Sequence, residues 1–189
     1  MASTTSSRIS SGVNLTSNFY LQNFYKYNRN AIKVSTRNDY SKTELSYEDS
    51  RALKRAAAKL ASFDYTEGEN EENIESTIQA FVKTYNYTME SSSSDSSDTY
   101  RQNRQLKALT QKYGDDLKDI GISIEKDGTL SVSDNILKGS AMKEIRKVFS
   151  EDSDYVRGVR KIAKRMNSSS YDEVYAQMTG AGGRLNIIL

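Results

Sequence analysis

The chain is expected to fold as a mainly α protein, an antiparallel helical bundle carrying one small β-hairpin. Three observations predict this. Its 189 residues include no proline, so nothing breaks a helix from within. Apolar residues recur at steps of three and four over most of residues 47–166, the spacing of one helix face. The exception is "IGISIEKDGTLSVS" at 120–133, where apolar and polar residues alternate on both sides of an Asp-Gly pair, as in two short strands joined by a tight turn.

Residues 1–40 are rich in Ser, Thr and Asn and are expected to form a flexible N-terminal arm. Leu15, Phe19, Leu21, Phe24 and Tyr27 are its apolar contact residues, suited to folding onto a partner. A helical domain is expected over 41–180. Its first helix, near 47–62, carries Leu53, Ala56, Ala57 and Leu60 on one narrow stripe, with Arg51, Lys54, Arg55 and Lys59 away from it. Ser46, three residues before Asp49, reads as a capping box.

An acidic connection containing Gly68 leads to Ile74, Ile78, Phe81, Val82, Tyr85 and Met89, the clearest amphipathic pattern in the chain. The run "SSSSDSSD" at 91–98 reads as a solvated linker. A helix is then expected from near Asp98, with Leu106, Leu109, Tyr113, Leu117 and Ile120 on one face and Gly121 at its end. Two long helices joined by a short polar loop pack antiparallel. The hairpin near 121–133 turns at Asp127 and Gly128, because Gly accepts a positive φ without steric cost. Two strands alone are marginal in water, so their apolar face must lie on the helices. Ser133 or Asp134 caps one helix carrying Leu137, Ala141, Ile145, Val148 and Phe149. "DSDYVRGVRKIAKRM" then predicts a short helix, and "SYDEVYAQM" a further turn or two. Residues 181–189 form an apolar tail whose contact residues are Leu185, Ile187, Ile188 and Leu189.

Composition narrows the function. Cys, His and Trp are absent along with Pro, which removes disulfides, thiolate metal sites, the usual general base and the commonest transition-metal ligand. The net charge of +2 is too small to argue for nucleic acid or an anionic membrane. No apolar run reaches membrane-spanning length, and the N-terminus lacks the apolar core of a secretory signal. "EKDGT" offers only Asp127 before its Gly, not the oxygen ligands of a calcium loop. "GAGG" at 180–183 lacks the Lys-Ser/Thr pair of a phosphate loop. No catalytic set is legible, and no cofactor, metal or small-molecule substrate is expected.

Charge is segregated. Residues 143–165 hold eight basic residues and four acids, whereas 64–98 hold nine acids and a single Lys. Solvated faces that attract one another, within the domain or between copies, explain both clusters without nucleic acid. Of three Asn-x-Ser/Thr triplets, at Asn14, Asn86 and Asn167, the second falls inside a helical pattern and reads as chance.

The segment "YGDDLKDIGISIEKDGTLSVSDNIL" resembles a stretch of the flagellar hook-associated protein 2 family, the filament-capping proteins, in their C-terminal conserved region. The matching residues are Leu117, Ile120, Gly121, Ile122, Asp127, Gly128, Thr129, Leu130, Val132, Asp134 and Leu137. "IESTIQAFVKTYN", "MKEIRKVF" and "GAGGRL" are similar to flanking family segments. The resemblance implies a structural protein of the bacterial flagellum, exported by the type III apparatus, with flagellar proteins or its own copies as partners and no catalysis. Family members are larger, with β-rich domains between their terminal regions, so the resemblance implies a reduced relative. The alternative expectation is a cytoplasmic helical adaptor that keeps the fold without the flagellar role.

Overall fold

A computed structural model of the chain describes residues 37, 40–68, 70–93 and 98–179. They fall into two compact units, one of residues 42–170 and one that takes its described residues from 37, 40–41 and 171–179. In chain order the elements are α1 (Lys42–Ala61), α2 (Glu71–Ser91), α3 (Asp98–Lys112), α4 (Gly114–Asp119), β1 (Ile122–Ile124), β2 (Leu130–Val132), α5 (Asp134–Gly139), α6 (Met142–Phe149) and α7 (Asp154–Thr179). The architecture is mainly α with one small antiparallel hairpin, as the sequence predicts. No described helix is long and apolar enough to cross a membrane.

Within the unit of residues 42–170, polar contacts set the helix directions. Ser170 donates its hydroxyl to Ser46 Oγ at 2.9 Å, and Asn167 Nδ2 donates to the Tyr47 carbonyl at 2.8 Å, so α1 and α7 run antiparallel. Gln102 reaches Ser169 near one end of α3, and Thr110 meets Tyr155 near the other; α3 and α7 are therefore antiparallel too. Asn103 Nδ2 donates to the Met89 carbonyl at 2.9 Å, closing α2 onto α3. Gly158 lets α7 approach α3 closely, because a Cβ there would stand 2.6 Å from Leu109 Cδ2.

The apolar stripes predicted on α1 and α2 face this interior. Leu53, Ala57, Leu60, Ile74, Ile78 and Phe81 are buried, as are Leu106, Ile145, Val156, Val159 and Met166. At its centre Phe81 meets Phe149 edge-on at 5.3 Å, and both rings contact Tyr155 at 6.3 Å. Edge-to-face pairs of this kind add about 0.5–1.5 kcal/mol each beyond the area they bury.

Four boundaries differ from the sequence expectation. Helix α1 starts at Lys42, not near 47, so Ser46 lies inside it and bonds α7 instead of capping. The helix expected from Asp98 to Ile120 is interrupted at Tyr113, where φ −104° and ψ 20° leave the helical region. Gly114, a weak helix former, follows there, with Ile124 of the hairpin against it. The single helix expected over Leu137–Phe149 is two, because Ser140 and Ala141 are extended; Gly139 favours the break, and Ser140 Oγ bonds back to the Ile136 carbonyl. Conversely, the short helix expected after Asp154 continues unbroken to Thr179. It runs through the polar "NSSS" at 167–170, where Asn167 and Ser170 turn inward onto α1.

Two measurable consequences follow from this packing. Gly121 has φ +81°, and a Cβ there would lie 2.9 Å from Ile136 Cβ and 3.0 Å from both Leu137 N and Ser133 O. Urea unfolding of Gly121→Ala should show a loss of about 2 kcal/mol or more. Gly139→Ala, with open space around the new methyl, should be unchanged or slightly more stable. Glu48 supplies the second. Burial pushes its carboxyl up to about 7, against smaller downward pulls from Arg51 and Arg55 and a small upward push from Asp49. Arg51 lies 3.6 Å away, too far for a hydrogen bond, and Oε1 has none. A carboxyl that holds its proton more tightly when folded contributes stability below its unfolded value of 4.5, and that contribution is lost as pH rises through about 7. Glu48→Gln should abolish this slope, and unfolding at about pH 8 should find it more stable than wild type by on the order of 1–3 kcal/mol.

Candidate docking surface at the hairpin

The hairpin is built by alternation and one left-handed residue. Ile122 pairs with Val132, Ser123 with Ser131 and Ile124 with Leu130. The Gly128 amide donates to the Glu125 carbonyl at 2.9 Å, and the Glu125 amide to the Thr129 carbonyl at 2.8 Å. Gly128 alone in the turn has a positive φ, +92°. This is the three-residue loop in which a turn is followed by a left-handed glycine. Asp127 Oδ1 accepts both the amide (2.9 Å) and the hydroxyl (2.6 Å) of Thr129. Those two bonds, the hydroxyl foremost, hold its carboxyl below the usual carboxylate range. Asp127 and Gly128 thus stand at the hairpin apex, where the sequence puts them. The Asp127 carboxylate is engaged in shaping the turn.

The bonds at Gly121–Ser133 and Glu125–Thr129 also decide which backbone groups point out of the ladder. In an antiparallel pair alternate residues exchange both bonds, and those between face away. Leu130 is one that faces away. Its side chain is buried, so its outward amide and carbonyl need partners. Asn86 of α2 supplies both: Oδ1 accepts the Leu130 amide at 2.8 Å, and Nδ2 donates to the Leu130 carbonyl at 2.8 Å. One carboxamide thereby takes the place of a third strand's peptide group.

Two further side chains fix the finger. Lys107 of α3 donates to the Asp127 carbonyl at 2.9 Å, and its stem passes so close to Gly128 that a Cβ there would sit 2.6 Å from Lys107 Cε. Gln79 of α2 donates to Asp134 Oδ1 at 2.9 Å, just beyond β2. The hairpin is therefore pinned at tip, middle and base along α2 and α3. Beside its tip a groove of about 730 Å³ opens, walled by Tyr87, Glu90, Tyr100, Arg104, Lys107 and Thr129 among others.

No family model, curated protein or solved structure matches the chain.

Of the residues singled out in the sequence, Asp127 and Gly128 come together in the turn. The contact segments Leu15–Tyr27 and Leu185–Leu189 lie outside the described residues. Asn86, Lys107 and Gln79 were not legible as hairpin anchors. Asn86 stood out only as the start of an Asn-x-Thr triplet, and nothing local to α2 reveals a partner 44 residues away.

Asn86→Ala should strand the Leu130 amide and carbonyl. Urea denaturation is expected to register a loss of about 1–3 kcal/mol, and hydrogen exchange at the Leu130 amide should accelerate more than at the Phe81 amide in mid-α2.

Proposed function

We propose that the chain is a flagellum-associated structural or assembly protein, related to the filament-capping proteins, that works by protein–protein contacts and not by catalysis. Its partners are flagellar proteins or copies of itself, and its site of action is the flagellum, reached by type III export. One observation carries the reading. The residues on which the family resemblance rests are the ones that build the pinned finger: Gly121 with its left-handed φ, the Asp127–Thr129 turn, and the buried Leu117, Ile120, Ile122, Leu130 and Leu137. A motif used up in scaffolding presents a rigid surface and leaves no set of reactive groups.

The groove beside the tip supports the same reading. Its tyrosine rings and charges of both signs suit a protein contact, since large rings and Arg carry most interface energy, and a surface held in place beforehand loses little entropy on docking.

Secretion decides between this and the cytoplasmic adaptor. The protein should be found in the medium of flagellated wild-type cells and be missing from the medium of a type III export-deficient strain. Retention in the cytoplasm of both strains would replace the flagellar reading with the adaptor.

A further inference from the structure

On the side of the bundle formed by α1 and α7, a groove of about 440 Å³ runs between the two helices. Its walls are Lys54 and Arg55 of α1 and Arg157, Arg160, Lys161 and Lys164 of α7, and Ala58 is its remaining lining residue. Asp154 answers one of these six cations, at 2.7 Å from Arg157. Like charges gathered along a concave strip focus a positive potential outward and hold counterions that a docking anion would release. No aromatic ring lines the groove, so nucleic-acid bases would have nothing to stack on. Guanidinium forks and ammonium groups suit carboxylates well.

The chain carries a matching set. Asp64, Glu67, Glu71 and Glu72, in the α1–α2 connection and the first turn of α2, are all exposed. Lys83 is the single basic residue between positions 64 and 98. This acidic turn is tied into its own loop: Glu71 Oε1 accepts the Gly68 amide at 2.9 Å, and Asp64 Oδ1 accepts the Thr66 hydroxyl at 2.9 Å. The groove spans the two helical turns from Arg157 to Lys164, about 10 Å, a length that one helical turn and its leading loop can fill.

We propose that the α1–α7 groove receives the acidic turn at the start of α2 from a second copy of this chain. Donor and acceptor are different patches, so the contact is head-to-tail and each copy keeps one open groove and one open acidic turn, which builds a ring or a filament. The flagellar reading allows copies of the chain as partners but places docking at the hairpin; the groove contact uses a separate surface and can fail while that reading stands.

The test uses the purified full chain in sedimentation velocity. Wild type should associate at low salt and do so roughly tenfold or more weakly at about 0.5 M salt. Lys161→Glu/Lys164→Glu and Glu67→Lys/Glu72→Lys alter side chains that make no described hydrogen bond, and circular dichroism checks their folding. Each should be monomeric alone. Their equimolar mixture should form a one-to-one complex that grows no further, because one variant retains only the acidic turn and the other only the groove. All four substitutions in one chain should restore association with the charges exchanged. Lys161→Gln/Lys164→Gln, which removes charge without adding repulsion, should weaken association in the same direction by a smaller factor. A wild type that stays monomeric at low salt, or association that survives both reversals, overturns the proposal. So does binding of a single-stranded oligonucleotide or phosphatidylglycerol vesicles that is lost in Lys161→Glu/Lys164→Glu while no self-association occurs, which assigns the groove to phosphates.

Discussion

A two-stranded ribbon of three residues per strand cannot satisfy its own outer edge once it is pressed against an apolar surface, and the carboxamide of Asn86 meets that constraint. Leu130 must bury its side chain to join the core, and doing so carries its outward amide and carbonyl away from water. An unsatisfied buried peptide group costs about 1–3 kcal/mol, comparable to what burying one leucine contributes. The two bonds from Asn86 remove that conflict and couple the hairpin's register to the rotation of α2, since a one-residue slip would turn Leu130 outward and present the wrong peptide group. Lys107 and Gln79 then hold the tip and base. The finger is thus a fixed ridge of the bundle.

The way back from that ridge explains the short helices. Helices α5 and α6, bent apart at the extended Ser140 and Ala141, bring Phe149 against Phe81 and Tyr155. Tyr113, at the break between α3 and α4, also meets Tyr155 at 5.4 Å. Elements on either side of the hairpin therefore share one aromatic junction, so the excursion is anchored where it leaves and where it returns. Tyr155 joins the cluster by bonding its hydroxyl to Thr110 at 3.4 Å. The neighbouring Tyr85 hydroxyl is buried without a hydrogen-bond partner, and desolvation pushes its pKa up to about 12 despite the nearby Thr110. The ring packing there offsets an incompletely paired hydroxyl.

What was legible in the sequence is what depends on near neighbours. The stripes of α1 and α2 and the alternation around Asp127-Gly128 follow from helical and strand periodicity, and the structure buries those faces. What was not legible depends on residues far apart in the chain. Ser46 resembled a helix cap until Ser170 claimed its hydroxyl 124 positions away. The polar run 167–170 lies beyond the short helix expected there, since polar residues on a helix face are normally solvated, whereas here Asn167 and Ser170 bond α1. Asn86 sat on a helix with no local reason to be anything but exposed. In each case a polar side chain did long-range work that apolar periodicity cannot encode.

The same seam shapes the cationic face. Ser170 bonds Ser46 across α1 and α7 and Ala58 lines the groove between them, and small residues can bury little area of their own. Long Lys and Arg stems flanking such a seam cover it while their heads stay in water, which raises two basic walls over a low floor. Glu48, raised to about 7 by burial and pulled down in part by Arg55 of this face, is largely buried. Ionic strength is a variable to which this surface responds, since exposed charges are screened within about 8–10 Å at physiological salt. Docking of the acidic turn into the groove, as proposed, would be made and broken by changes in ionic surroundings, and the fold need not move for it.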